Sequence, residues 1–200
     1  MKKFSLVFGV LLAVLVLLTI VSKANAQARE IYTGTVLYYG SGRNIGTTTR
    51  QFTLNITGQT SDQQARRFLD VLRDKGQNNL LKAIDDNDLG RFSVGANVGT
   101  RINVVRERVE GGQRRIFIVF ERWTQFAELR YGYRSVDYPF GVIELMINER
   151  TGRGEGTYIA AARIRWDDDG DNNLPQVEIE NFATYPARLL NVRRSNRRAP

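Results

Sequence analysis

The sequence predicts an α+β fold: an antiparallel, barrel-like or strongly curved sheet of about eight strands, with a two-helix insertion after the second strand. Three observations carry this expectation. Short segments rich in β-branched and aromatic residues recur between glycine turns. A single interval, residues 61 to 84, switches to helical spacing. The linkers between successive strands are too short for the crossover that parallel pairing needs.

The first strand is read at Ile31 to Tyr39, ended by Gly40-Ser41-Gly42. In the second, Thr47 to Thr57, the apolar Phe52, Leu54 and Ile56 alternate with Thr53, Asn55 and Thr57, which sets one face in the core and one in water. Ser61-Asp62-Gln63-Gln64 then reads as a capping box, followed by Ala65, Phe68, Leu69 and Leu72 at helical spacing and by Gly76 as a stop. Leu80, Leu81 and Ile84 mark a second short helix. Strand signals return at Leu89 to Val94, Arg101 to Val109 and Arg114 to Trp123, the last apolar on both faces at residues 116–120 and therefore central. Gln125 to Gly132 suits a short helix. Gly141 to Glu149, Gly154 to Trp166 and Gln176 to Tyr185 complete the sheet as a meander. Gly152, Gly154 and Gly156 resemble a phosphate loop in spacing alone; a strand and not a helix follows them, so they are read as a hairpin turn.

Residues 1–26 stand apart from this pattern. Lys2 and Lys3 precede an apolar run from Phe4 to Val21, and Ala24-Asn25-Ala26 supplies small residues at the spacing of a cleavage site. That is the order of a secretory signal peptide, with an N-terminal anchor as the other reading because the run approaches the ~20 residues that span a bilayer. The expected organisation is a signal peptide or anchor at 1–26, a single globular domain at 27–192, and a basic, disordered tail at 193–200 holding Arg193, Arg194, Arg197 and Arg198. An exported protein, periplasmic or extracellular, is expected.

Composition narrows the chemistry. The 200 residues include 29 Lys+Arg and 21 Asp+Glu, no cysteine and no histidine, for a net charge of +8. Taking away residues 1–26 with their three lysines leaves 174 residues and +5. Lack of cysteine excludes disulfides, thiolate nucleophiles and cysteine-held metals; lack of histidine excludes imidazole bases and His-ligated metals. Lys75 and Lys82 are the lysines of the remainder, and the other cations are arginines. Many sit beside acids, as in Arg106-Glu107-Arg108, which reads as paired surface charge.

Two segments carry candidate sites. From Glu128 to Phe140 polar and aromatic groups are densest, and Arg130, Tyr131, Tyr133, Arg134, Asp137 and Tyr138 are the candidate binding residues, able to stack on and hydrogen-bond a sugar, base or peptide. The second is acidic: Asp167, Asp169, Asp171 and Glu178 fall at the first, third, fifth and twelfth places of an EF-hand loop, a candidate weak Ca²⁺ site, although strands flank it and Asn172 takes the glycine's place. No other cofactor is expected. Catalysis by paired carboxylates has Glu128, Asp137, Glu144 and Glu155 as its material. The leading expectation is an exported, non-catalytic binding or envelope-associated domain, the alternative a carboxylate-dependent glycan hydrolase. Its partner is an unidentified ligand or envelope component. The C-terminal arginines suit an anionic polymer, and nucleic acid is not expected, because a basic face free of acids occurs only in the tail.

Overall fold

The computed structural model describes residues 29–39, 46–123, 134–167, 176–182 and 185–195. Ten strands occur among them: β1 (Glu30–Tyr38), β2 (Thr48–Ile56), β3 (Gly90–Val94), β4 (Thr100–Arg101), β5 (Val104–Glu110), β6 (Gln113–Glu121), β7 (Phe140–Asn148), β8 (Arg153–Asp167), β9 (Gln176–Asn181) and β10 (Ala187–Ser195). Two helices, α1 (Asp62–Lys75) and α2 (Gln77–Ile84), follow β2.

Every paired neighbour is antiparallel, in the order β4-β3-β2-β1-β10-β8-β7-β6-β5, with β9 added to the far half of β8. The two ends of that order, β4 and β5, are consecutive in the chain. The link between them bonds both ways: Ile102 N–H donates to Gly90 O at 2.9 Å and Asn103 N–H to Val119 O at 3.2 Å. The buried Asn103 amide secures the bend, donating to Asn87 O and accepting from the Glu121 N–H, both at 3.1 Å. The sheet therefore curls into a strongly curved half-barrel.

Alternation along the strands divides the apolar residues between its two faces. Tyr32, Val36, Leu54, Phe92, Ile118, Ile143, Leu145 and Leu189 fill the concave side. Phe92 centres that packing, its ring 5.9 Å from Phe52, 5.9 Å from Phe120 and 5.1 Å from Tyr158. Gly154 and Gly156 let β8 press against β7: a Cβ on either would lie 1.9 Å from Met146 O or 2.3 Å from Glu144 O. Gly152, at φ 63°, ends the turn between β7 and β8, so the three glycines answer to a turn and to close strand packing.

The helices cover part of the convex side. The capping box forms as read: Gln64 N–H donates to Ser61 Oγ at 3.2 Å, and Ser61 N–H to Gln64 Oε1 at 3.0 Å. Phe68, Leu72, Leu80 and Ile84 then pack on Val119, Phe140, Val142, Ala162 and Ile164 as a second core.

The structure corrects two expectations. The read strand from Arg101 divides at Ile102-Asn103 into β4 and β5, and residues 187–195 form a strand that composition hid. The boundary at Val192 consequently falls inside β10, whose Arg193, Arg194 and Ser195 pair with Thr33, Tyr32 and Ile31 of β1. Residues 1–28, the proposed helix at 125–132 and the tail at 196–200 lie outside the described residues. Among the described residues no helix is long and apolar enough to cross a membrane.

Candidate functional site

The concave interior is filled by side chains, and an apolar cavity lies instead between the helices and the convex face. It has a volume of about 710 Å³. Small-molecule sites run to roughly 300–1,000 Å³. Strand pairing brings Val104 of β5, Phe117 of β6 and Ile179 of β9 to its floor, and α1 closes it from above with Phe68, Leu69 and Leu72. Val104, Phe117, Leu69 and Ile179 remain partly exposed, so this wall of the second core is incomplete.

Charge is confined to the cavity's lip. Arg106 Nη2 bonds Asp62 Oδ1 at 2.6 Å, and its Nη1 donates to Thr60 O at 2.8 Å, tying β5 to the start of α1. Arg66, one turn further along α1, also lines the cavity, is exposed, and has no acidic partner among the described residues. A greasy floor with one uncompensated guanidinium at its edge can take a molecule with an apolar chain and an anionic head.

The arginine–tyrosine segment read from the sequence is placed only in part. Arg130, Tyr131 and Tyr133 lie outside the described residues, and Arg134 contributes its backbone to a 3-10 helix, Arg134–Asp137. Tyr138 is 4% exposed; its hydroxyl donates to Glu180, its carbonyl accepts from Arg122 Nε at 2.6 Å, and its ring packs 5.1 Å from Phe182 with the Arg163 guanidinium 5.0 Å over it. Tyr138 is thus packed and hydrogen-bonded within the chain. Asp137 stays exposed and pairs with Arg163 at 3.5 Å. Beside this knot Trp123, 82% exposed, stands at the edge of an open cleft of about 570 Å³ lined by Thr100, Arg101, Asn103 and Arg122.

Of the four acidic loop residues, Asp169 and Asp171 lie outside the described residues. Asp167 and Glu178 belong to the β8–β9 ladder, where Asp167 faces Gln176 and Glu178 faces Arg165, to which it is ion-paired at 3.3 Å. The flanks are strands, and an EF-hand loop needs helices to aim its ligands. Among the described residues no cluster of three or more acids is placed to hold a metal ion. The carboxylates considered for catalysis each meet an arginine where described: Glu144 with Arg115 at 3.0 Å, Glu155 with Arg188 at 3.1 Å, and Asp137 as above. Glu128 lies outside the described residues.

A polar cluster that sequence reading missed sits where β1 begins. Arg114 donates from Nε to Glu107 at 2.8 Å and from Nη1 to the Tyr32 hydroxyl at 3.2 Å and the Glu30 carboxylate at 2.9 Å; Arg194 reaches Glu30 at 2.7 Å. Burial pushes the Glu30 carboxyl upward, but hydrogen bonds and charge from Arg114, Tyr32 and Arg194 outweigh it, leaving Glu30 below its ordinary value. Burial, and next the Glu30 charge, hold the Tyr32 hydroxyl well above the usual range. With all its members paired, this cluster closes one end of the half-barrel and offers no open site.

No known family model matches this sequence, and neither a curated protein nor a solved structure matches it.

Proposed function

We propose that the chain is an exported, non-catalytic binding domain of the cell envelope, and that its ligand is amphipathic, with an apolar chain lying beneath α1 and an anionic head at Arg66. The cavity supports this reading: about 710 Å³ of space with an apolar floor and, on its lip, Arg66, which has no acidic partner among the described residues. Export rests on the order of charge, apolar run and small residues within residues 1–26.

Cis-parinaric acid, a fluorescent fatty acid, titrated into the full chain tests the binding. Leu69→Trp fills the cavity from its partly exposed edge, so binding is expected to fall strongly while the melting temperature holds. Arg66→Glu should weaken a fatty acid but not the corresponding fatty alcohol, because only the acid has a charge to lose. Equal binding of the acid by the wild type and Leu69→Trp would place the ligand elsewhere and overturn the reading. Intact mass of the protein recovered from its native envelope tests export separately.

A further inference from the structure

β10 carries three arginines, and two are answered by acids: Arg188 by Glu155 at 3.1 Å and Arg194 by Glu30 at 2.7 Å. The third is treated differently. Arg193 stands directly opposite Arg153 of β8, both are exposed, and neither has an acidic partner among the described residues. Like charges opposed across a strand pair destabilise the sheet.

A bulge produces this arrangement. Between Leu189 and Val192 the β10–β8 register shifts by one, and Asn191 takes φ 52°, the one non-glycine residue at positive φ among the described residues. Without the extra residue Val192 would face Arg153. With it, Val192 turns fully inward and Arg193 draws level with Arg153. A recess of about 390 Å³ lies against both arginines, with Asn191 in its wall. Glu155, the acid in that wall, is held by Arg188. On the other side Arg193 faces the exposed Thr33 of β1, which places a hydroxyl donor in the same row.

We infer that Arg153 and Arg193 bind a phosphate group between them, supplied by the headgroup of an anionic lipid. Planar guanidinium forks match phosphate oxygens, and an external anion removes the repulsion that the chain leaves uncompensated. Location names the lipid as the source. β1 starts and β10 ends at this rim, with Ile31 opposite Ser195, so the segment holding the apolar run Phe4 to Val21 and the segment holding Arg197 and Arg198 both leave from it. Arg193 lies two residues from that rim in β10, and the attraction of an anionic lipid surface for cations acts within a Debye length.

The test uses the full chain in neutral dodecyl maltoside micelles, read by melting temperature. Doping the micelles with phosphatidylglycerol is expected to raise the wild-type melting temperature, less so as salt rises. In Arg153→Gln with Arg193→Gln the apparent affinity should fall at least about tenfold, the factor that accompanies one charge-assisted hydrogen bond. Without additive the double variant should melt no lower than wild type, since it removes a repulsion; this shows that its loss of response is not misfolding. Inorganic phosphate separates the sources: a weaker response than to phosphatidylglycerol supports the lipid, and an equal one keeps the phosphate site but overturns the lipid assignment. No response to either, or a double variant that responds as wild type does, overturns the site.

Discussion

Arg114 of β6 and Glu30 of β1 meet at 2.9 Å although β10, β8 and β7 lie between their strands in the sheet. Only a sheet that has turned back on itself brings those side chains together, each 12% exposed, so the ion pair acts as a clasp across the half-barrel. Glu107 and Tyr32 complete the donor and acceptor requirements of the arginine fork. Removing one partner of such a pair leaves the other charge uncompensated. Glu30→Gln is expected to cost about 1–3 kcal/mol, less than the roughly 3–5 of a fully buried broken pair, because Glu107 still answers Arg114. Urea unfolding measures it.

Acid sensitivity follows from the same carboxylate. Glu30 is held below its ordinary value in the folded state, so the unfolded chain takes up the proton first as pH falls. Its contribution is fully present above the ordinary carboxylate pKa of about 4.3 and is lost on going below it. The wild-type melting temperature should drop through that window, and Glu30→Gln should drop less steeply.

At high pH three tyrosines act in the opposite sense. Burial raises the hydroxyls of Tyr32, Tyr38 and Tyr158, so they stay protonated in the fold while unfolded tyrosine ionises near about 10. Their stabilisation holds below that value and is lost above it. Absorbance of tyrosinate at alkaline pH should therefore rise together with loss of circular dichroism, and Tyr158→Phe should move the unfolding transition to higher pH.

Chain shortening distinguishes the strand from the tail. Ending the protein after Val192 removes three ladder positions and the Arg194–Glu30 ion pair, a loss of about 1–3 kcal/mol from backbone bonds worth about 1 kcal/mol each. Ending it after Ser195 leaves every described pairing in place, and the melting temperature is expected to stay unchanged. Equal melting of the two shortened forms would show that β10 contributes nothing beyond Val192.

How far each feature was legible depended on whether its signal was local. Ser61, Gln64, Phe68, Leu72 and Gly76 lie within five helical turns of one another, and they define α1 from its cap to its stop. The apolar run at residues 116–120 likewise places β6. β10 escaped notice for two local reasons. Its inward residues Ala187, Leu189 and Val192 are spaced by two and then three, because the bulge breaks the alternation, and arginines fill the intervening places. The cavity beneath α1 escaped for a different reason: Leu69, Val104, Phe117 and Ile179 come from four separate elements, and nothing in their own neighbourhoods marks them as one surface. The Arg114–Glu30 clasp, 84 residues apart in sequence, is of the same kind. Tyr138 shows a contact that local sequence does not reveal. The tyrosine–arginine segment suggested a ligand surface, and at Tyr138 the guanidinium over the ring comes from Arg163 of β8, 25 residues further along the chain.

Gly141 supplies the sharpest test of the interior. It pairs with Phe120 across β7 and β6, and the Phe120 ring lies over it: a Cβ added to Gly141 would sit 2.2 Å from Phe120 Cε2 and 2.4 Å from Cζ. The ring has little room to yield, since Phe120 is 1% exposed and packs 5.9 Å from Phe92 and 6.4 Å from Tyr158. Gly141→Ala should therefore overpack the concave core by about 1–3 kcal/mol. At this chain length that lowers the melting temperature by about 2–4 °C for each kcal/mol. Phe120→Leu alone should also destabilise, by opening space among the rings. Combined, the two changes should cost clearly less than their sum, because the shorter side chain vacates the volume that the new methyl needs. Additive losses would mean that Phe120 does not cover Gly141 in solution, and the aromatic packing of the half-barrel would need to be redrawn from that contact outward.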